Sequence, residues 1–137
     1  MTALLHLDVI TPQRRILAAD VQSVTIPGVE GDFGVLPRHS SLLSGVRIGR
    51  VTINDGQAAG ERLVVWTGVA EVQAQGVTLL VEQALSREQL DPAAAQGMVK
   101  AAESALAELP ADSPERPRRE QQLLFARECA RLVAQSS

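Results

Sequence analysis

The first 85 residues or so contain short apolar and β-branched runs, each followed by a turn signal, and this pattern constrains the fold most. In residues 5–9 apolar and polar side chains alternate, as in a strand with one buried face. A β-branched run over residues 21–26 ends at the turn signal Pro27-Gly28, and Asn54-Asp55-Gly56 and Gly76 mark two hairpins. Strands this short, with no long helical pattern between them, predict a sandwich or barrel rather than a parallel sheet.

The pattern changes after Ala84 and becomes helical. Ser86 or Asp91 can cap the first helix, and Pro92 suits its first turn. Apolar residues then recur at spacings of three and four in one narrow seam. The residues of this first seam are Ala95, Met98, Ala102, Ala105 and Leu109.

A second helix is predicted after a break at residues 110–114. Asp112 with Glu115 can form the capping box at its start. Its apolar seam consists of Leu123, Ala126, Ala130 and Val133. Two helices separated by so short a break predict an antiparallel hairpin.

The expected fold class is therefore mainly β with α, in two parts. Residues 1–86 are predicted to form an N-terminal β-sandwich, and residues 87–137 a C-terminal antiparallel two-helix hairpin. Alanine buries little apolar surface, so Ala-rich seams predict a hairpin that is marginal alone and depends on docking elsewhere. A rigid helical lid is the alternative reading of the same pattern.

Composition excludes several classes of function. The 137 residues carry a net charge of −3 and only three aromatic side chains, which argues against a nucleic-acid-binding module. Cys129 has no partner for a disulfide, and with His6 and His39 far apart no metal or cofactor site is expected. A small hydrolase using His39 beside Ser40 would lack a third group to orient the base, so no catalytic residue is expected.

Charge is also unevenly distributed along the chain. Residues 113–137 contain five Arg and three Glu, a balance of +2, whereas the remaining residues carry eight bases and thirteen acids, a balance of −5. A basic tail on an acidic body suggests an acidic partner for the tail. The alternative is a solvated helix face with ordinary ion pairs.

One segment is distinctive enough to indicate a family. Residues 26–39, Ile-Pro-Gly-Val-Glu-Gly-Asp-Phe-Gly-Val-Leu-Pro-Arg-His, closely resemble the segment by which F-type ATP synthase epsilon subunits are recognised. The family has Gly and Pro where this chain has Arg38 and Ser41. Residues 66–72 are similar to a further strand of the family, and the resemblance runs from about residue 4 to residue 134. It implies a non-catalytic subunit of the central stalk, which couples rotation of the c-subunit ring to gamma and to catalysis.

The resemblance also implies contacts on matching positions. Val29, Glu30, Gly31 and Asp32 would meet the polar loops of the c-subunit ring. The residues that would lie toward the gamma subunit are His39, Leu42 and Leu43. The C-terminal hairpin is similar to a mobile element that extends into the alpha/beta hexamer and inhibits ATP hydrolysis.

Some members of that family bind ATP on the hairpin, through an Ile/Leu-Asp-x-x-Arg-Ala motif and two later arginines. Here Asp91, Arg127 and Arg131 match, but Ala94 stands where the motif has Arg. Losing one of three guanidinium groups removes a strong phosphate contact, so a residual nucleotide site is incomplete and ATP binding is not expected. A helix cap is the simpler role for Asp91.

The runs of apolar residues are too short to span a bilayer, and the N-terminus shows no leader or transit pattern. Together with the resemblance, this implies a peripheral position on the cytoplasmic face of a bacterial plasma membrane. The coupling ion is not encoded in this chain. Composition and periodicity alone fit a rival equally well, a free-standing β-sandwich binding module with a helical dimerisation hairpin.

Overall fold

A computed structural model describes residues 3–134, and its first part is built from β-strands. The strands are β1 (Leu5–Ile10), β2 (Arg15–Val21), β3 (Ser23–Gly28), β4 (Gly31–Val35), β5 (Leu42–Val46), β6 (Gly49–Asn54), β7 (Ala59–Val65), β8 (Gly68–Gln73), β9 (Gly76–Val81) and β10 (Ala84–Ser86). Two helices follow a short 3₁₀ turn (Arg87–Gln89); they are α1 (Pro92–Ala107) and α2 (Arg116–Ala134). The predicted fold class, a β-sandwich followed by a helical hairpin, is confirmed.

The strands form one continuous hydrogen-bonded path that folds over itself. Its order is β10-β7-β6-β3-β5-β8-β9-β1-β2, and β4 pairs with β3 outside this path. Only the β1–β9 pair in this path is parallel, and the predicted hairpins at residues 54–58 and 73–76 connect β6 to β7 and β8 to β9. Because β3 pairs with β4, β5 and β6, the two halves of the sandwich are joined through one strand.

Alternation along the strands fills the sandwich interior. Leu5, Leu7 and Val9 of β1 are at most 1% exposed, while His6 between them faces solvent. Strands β3, β6, β8 and β9 also bury alternate residues, mostly β-branched ones that suit a pleated surface. Strand β7 instead buries the consecutive Leu63, Val64 and Val65, because Val64 packs against the helices. The core is therefore continuous from β1 to β10.

Helix α1 begins after a capping residue. The Asp91 carboxylate accepts a hydrogen bond from the backbone N–H of Ala94 at 2.7 Å, and Pro92 occupies the first turn. Ser86 instead precedes the 3₁₀ turn. The prediction of a capping box at Asp112 was wrong: Ser113 accepts the N–H of Glu115 through its hydroxyl at 3.2 Å. A hydroxyl needs only a short reach to the second N–H beyond it, and Ser113 lies one residue nearer the helix.

Helix α2 packs between α1 and the sandwich and therefore buries more than one seam. Leu123 and Ala126 of the predicted seam are buried, but so are residues on a neighbouring face. That face contributes Phe125, Cys129 and Leu132 to a second apolar cluster with Ile48, Val64 and Trp66 of the sandwich. The prediction that the hairpin docks elsewhere is thus supported by an apolar interface on β6 and β7.

Candidate partner-binding sites

The four residues predicted to meet a partner ring lie together at the tip of the β3–β4 hairpin. Gly28 pairs with Gly31, leaving Val29 and Glu30 as a two-residue turn. Gly31 has φ +128°, which L side chains rarely adopt, and a Cβ on Gly28 would lie 2.7 Å from the Gly31 carbonyl oxygen. The glycines therefore allow a turn too tight for any other residue, and this explains their place in the sequence.

The two acids of the tip differ in their surroundings. Asp32 forms an ion pair with Arg47, which follows β5 fifteen residues later in the chain. Glu30 is exposed and, within residues 3–134, makes no hydrogen bond or ion pair. Asp32 is thus held in place while Glu30 is free to pair with another molecule. Sequence reasoning missed Arg47, because nothing local links it to Asp32.

Backbone hydrogen bonds also join the β3–β4 tip to the end of β5. The backbone N–H of Val29 donates to the Gly45 carbonyl at 3.0 Å, and that of Arg47 donates to the Pro27 carbonyl at 2.9 Å. The Val29 side chain packs over Gly45 but remains 62% exposed. The tip therefore presents one apolar and one acidic side chain on a backbone bonded into the sheet.

The three residues predicted to face a second partner lie at the other end of β5. Leu42 and Leu43 begin this strand and pair with Val72 and Glu71 of β8. Leu43 is 71% exposed. The ring of His39 is half-buried and donates from Nδ1 to the Ser40 carbonyl at 2.7 Å, a local turn contact rather than one that activates a nucleophile. Leu42 and Leu43 form an exposed surface at this end of β5, and the half-buried His39 precedes them in the chain.

The residues of the residual nucleotide site each have a structural partner of their own. Asp91 caps α1, Arg127 lies 3.8 Å from Glu103 across the hairpin, and Arg131 lies 3.6 Å from Glu128 on its own helix. Within the described part of the chain no hydrogen bond or ion pair joins Asp91 to either arginine. Their arrangement is that of a helix cap, an exposed ion pair across the hairpin and an ion pair between Arg131 and the largely buried Glu128.

Polar contacts link the hairpin to the sandwich at two points. Arg50 Nε of β6 lies 3.1 Å from Glu128 Oε2 of α2, and Arg50 Nη1 lies 3.0 Å from Glu61 Oε1 of β7. Near the start of α2, Arg118 lies 4.8 Å above the Trp66 ring centroid and 3.5 Å from Glu82. These contacts flank the apolar cluster, so both ends of α2 are attached.

Cys129 lies in the middle of this interface. It is fully buried, and burial together with the neighbouring Glu128 charge raises the pKa of its thiol to about 12. The residue is therefore a small core side chain and not a nucleophile while the hairpin is docked. In residues 3–134 no group of His, Cys, Asp and Glu side chains has a geometry for a metal ion.

Residues 3–134 define a two-part class of protein, a β-sandwich with a charged hairpin tip and a docked pair of helices. Comparison with known proteins identifies the family. Residues 4–87 match the family described as ATP synthase, Delta/Epsilon chain, beta-sandwich domain. The chain belongs to the F-type ATP synthase epsilon subunit family, whose members are non-catalytic subunits.

Curated relatives carry the same description. The chain is 44% identical over 88 residues to the ATP synthase epsilon chain of Maricaulis maris, covering 64% of this chain and 65% of that one. It is 41% identical over 115 residues to the ATP synthase epsilon chain of Magnetococcus marinus, covering 84% and 83%. The second match includes much of the helical region as well as the sandwich.

Two solved structures share the fold. The first comes from the Euglena gracilis mitochondrial ATP synthase OSCP/F1/c-ring assembly, with a TM-score of 0.73, 21% identity and coverage of 92% of this chain and 79% of that one. The second comes from the central stalk and c ring of the Tetrahymena thermophila mitochondrial ATP synthase, with a TM-score of 0.59, 14% identity and coverage of 96% and 95%. In this chain, neither helix within residues 3–134 has the length and apolarity needed to cross a membrane.

Proposed function

We propose that this chain is a rotor subunit in the central stalk of an F-type ATP synthase, where it couples rotation of the c-subunit ring to gamma. Membership of the epsilon family supports this proposal, and the solved structures of the same fold come from ATP synthase assemblies. The chain would be peripheral on the cytoplasmic face of a bacterial inner membrane. Residues 1–86 would bind gamma and the c-subunit ring, and residues 87–137 would regulate ATP hydrolysis.

The observation that carries the proposal is the geometry of the β3–β4 tip. Asp32 is already paired with Arg47, so Glu30 is the acid available to the polar loops of the ring. Val29 beside it adds exposed apolar surface. A rim ion pair contributes little affinity, but a single charge on a rigid turn fixes register between two rotating bodies.

Torque transfer also requires a stiff path from the tip to the second partner. Gly28 at the tip pairs with Val46 of β5, and β5 continues to Leu42 and Leu43 along an unbroken ladder with β8. One residue pair links β3 to β5, and five consecutive residue pairs link β5 to β8. The ring contact and the gamma contact would thus lie at the two ends of one strand.

The hairpin would act as the inhibitory element of the same subunit. In this structure it is docked, through the cluster around Trp66, Phe125 and Leu132 and through two groups of ion pairs. Extension toward the alpha/beta hexamer would have to break these contacts and replace them with others of similar free energy. The exposed arginines of α2 would then meet acidic residues of that hexamer.

Affinity purification from the host membrane tests the proposal. A tagged copy of this chain is expected to bring down gamma, the c subunit and the alpha/beta hexamer in fixed stoichiometry. The matched variants Glu30→Lys and Glu108→Lys change one exposed acid each, and only the first is expected to lower retention of the c ring. Recovery of a homodimer without synthase subunits would instead support the free-standing binding module.

A further inference from the structure

Arg38 has an unusual backbone conformation. It has φ +66°, and it is the one non-glycine residue at positive φ within residues 3–134. This left-handed region suits Gly and, to a lesser degree, Asn, because a Cβ there crowds the following carbonyl. A strained residue persists when something in its surroundings or its function compensates for the strain.

The surroundings give no such compensation. The Arg38 guanidinium makes no hydrogen bond or ion pair with residues 3–134. Within the described part of the chain, the only hydrogen bond of Arg38 runs from its backbone N–H to the Ala74 carbonyl at 2.9 Å, and any residue except proline could make it. The folded chain therefore does not need the Arg side chain.

Arg38 borders a surface depression of about 440 Å³ at the end of the sandwich away from the β3–β4 tip. Leu36, which is 64% exposed, and Pro37 supply its apolar side. Gln22, Ser23 and Asn54 supply neutral polar groups. An uncompensated positive charge beside apolar and neutral polar groups is complementary to a carboxylate flanked by an apolar side chain.

We propose that Arg38 is a specificity-determining contact that binds a carboxylate of the gamma subunit at this depression. The inference rests on the proposed function, in which the adjacent His39, Leu42 and Leu43 face gamma. A guanidinium can bind a carboxylate through two parallel N–H donors, which adds direction as well as charge. The strained backbone then serves to aim this side chain at the partner.

Titration of the F1 complex depleted of this subunit, with the full chain added back, tests the inference. Arg38→Gly and Arg38→Asn fit the left-handed backbone and remove the charge, and each is expected to bind about tenfold more weakly. Arg38→Lys, which retains the charge, is expected to lose less affinity for the depleted complex. Arg14→Ala, which removes an exposed arginine at the other end of the sandwich, is the control and is expected to bind as the wild type does.

Two further measurements distinguish a direct contact between Arg38 and gamma from a structural role of Arg38. The Tm of isolated Arg38→Gly should not fall, and the salt dependence of its binding should be weaker than that of the wild type. Unchanged affinity in Arg38→Gly, or a fall in Tm that accounts for the weaker binding, would overturn the inference while leaving the proposed function intact. Failure of the wild-type chain to bind the depleted complex would overturn both.

Discussion

Arg50 of β6 and Glu128 of α2 form an ion pair between the sandwich and the hairpin, with 3.1 Å between Nε and Oε2. The Glu128 side chain is only 10% exposed, and the pair lies beside the buried Cys129. Arg50 also forms an ion pair with Glu61 of β7, so a residue of the sandwich itself fixes the position of the Arg50 side chain. The pair is therefore a specific attachment point for α2 on a preorganised surface.

Replacing Glu128 by Gln is expected to loosen the docked hairpin. The change removes the negative charge that pairs with Arg50, and the expected loss lies between the about 0–1 kcal/mol of an exposed ion pair and the about 3–5 kcal/mol of a fully buried one. Cys129 is the only thiol of the chain, so the rate of its modification by a maleimide reports undocking. We expect labelling about tenfold faster than in the wild type, since 1.4 kcal/mol corresponds to a factor of ten.

The control for this experiment is Glu120→Gln, because Glu120 is exposed and, among residues 3–134, pairs only with Arg116 on its own helix at 3.9 Å. Its labelling rate should match that of the wild type. Equal labelling of the wild type and the Glu128→Gln variant would show that the ion pair does not hold the hairpin.

The apolar part of the same interface depends on Phe125. Its ring is 2% exposed, with its centroid 5.1 Å from that of Trp66. Phe125→Ala is expected to destabilise docking by about 3–5 kcal/mol, the usual range for a buried aromatic. Limited proteolysis should then cut α2 while the sandwich stays intact. Leu124→Ala alters the neighbouring residue, which is 45% exposed, and should leave the cleavage pattern unchanged.

Phe125 also shows where prediction from sequence stopped. Strand alternation predicted the sandwich, because a strand exposes one face and buries the other along its whole length. A helix between two elements buries two adjacent stripes, and the seam through Ala126 identified only one of them. The stripe through Phe125, Cys129 and Leu132 could be assigned only once β6 and β7 were in place.

The sequence also predicted the candidate sites only in part, as it predicted only one of the two buried stripes of α2. The glycines of residues 26–39 indicated a tight turn that bears acids, and Gly28 and Gly31 do close it. The Asp32–Arg47 ion pair joins two segments fifteen residues apart, and no periodicity connects them. Asp32, which is paired, could therefore be distinguished from the unpaired Glu30 only once the register of β3 with β5 was known.

Gly28→Ala is expected to disrupt the β3–β4 tip. The added Cβ would meet the Gly31 carbonyl oxygen at 2.7 Å and the Phe33 ring at 2.9 Å, and backbone cannot move aside cheaply. A cost of about 1–3 kcal/mol is expected, as for other overpacked sites, and thermal unfolding measures it. Gly34→Ala is the matched control because its Cβ would meet nothing closer than 4.0 Å. Equal Tm values for the two variants would contradict this steric explanation.

Stability is expected to depend on pH through His6. Its Nδ1 lies 2.9 Å from Asp20 Oδ1, and this hydrogen bond is the main reason that the pKa of His6 is raised above 6.5, with Asp8 adding to it and desolvation opposing it. Protonated His6 is thus favoured in the folded state. The stabilisation of the fold by protonated His6 is complete below 6.5, the pKa of His6 in the unfolded chain. It disappears as the pH rises through the higher pKa of His6 in the folded chain.

Asp20→Asn removes the main cause of this shift in the pKa of His6. The Tm difference between the wild type and this variant should be larger at about pH 5.5 than at about pH 8.5, on either side of the histidine range. His6→Gln should show the same pH trend. A Tm difference that does not change with pH would mean that His6 does not titrate in a coupled way with the fold.

Deletion and undocking of the hairpin should have opposite effects on the assembled enzyme. If the hairpin inhibits by extending, a chain cut after Arg87 raises ATP hydrolysis by the complex, because the inhibitory element is gone. Phe125→Ala keeps that element but weakens its docked state, so it shifts the population toward extension and should lower hydrolysis. Because the cut uncovers Ile48, Val64 and Trp66, retention of the shortened chain in the complex must be measured alongside the rate. No rise in hydrolysis with the shortened chain retained would contradict an inhibitory role, and a rise in both variants would mean that the docked hairpin is the inhibitory form.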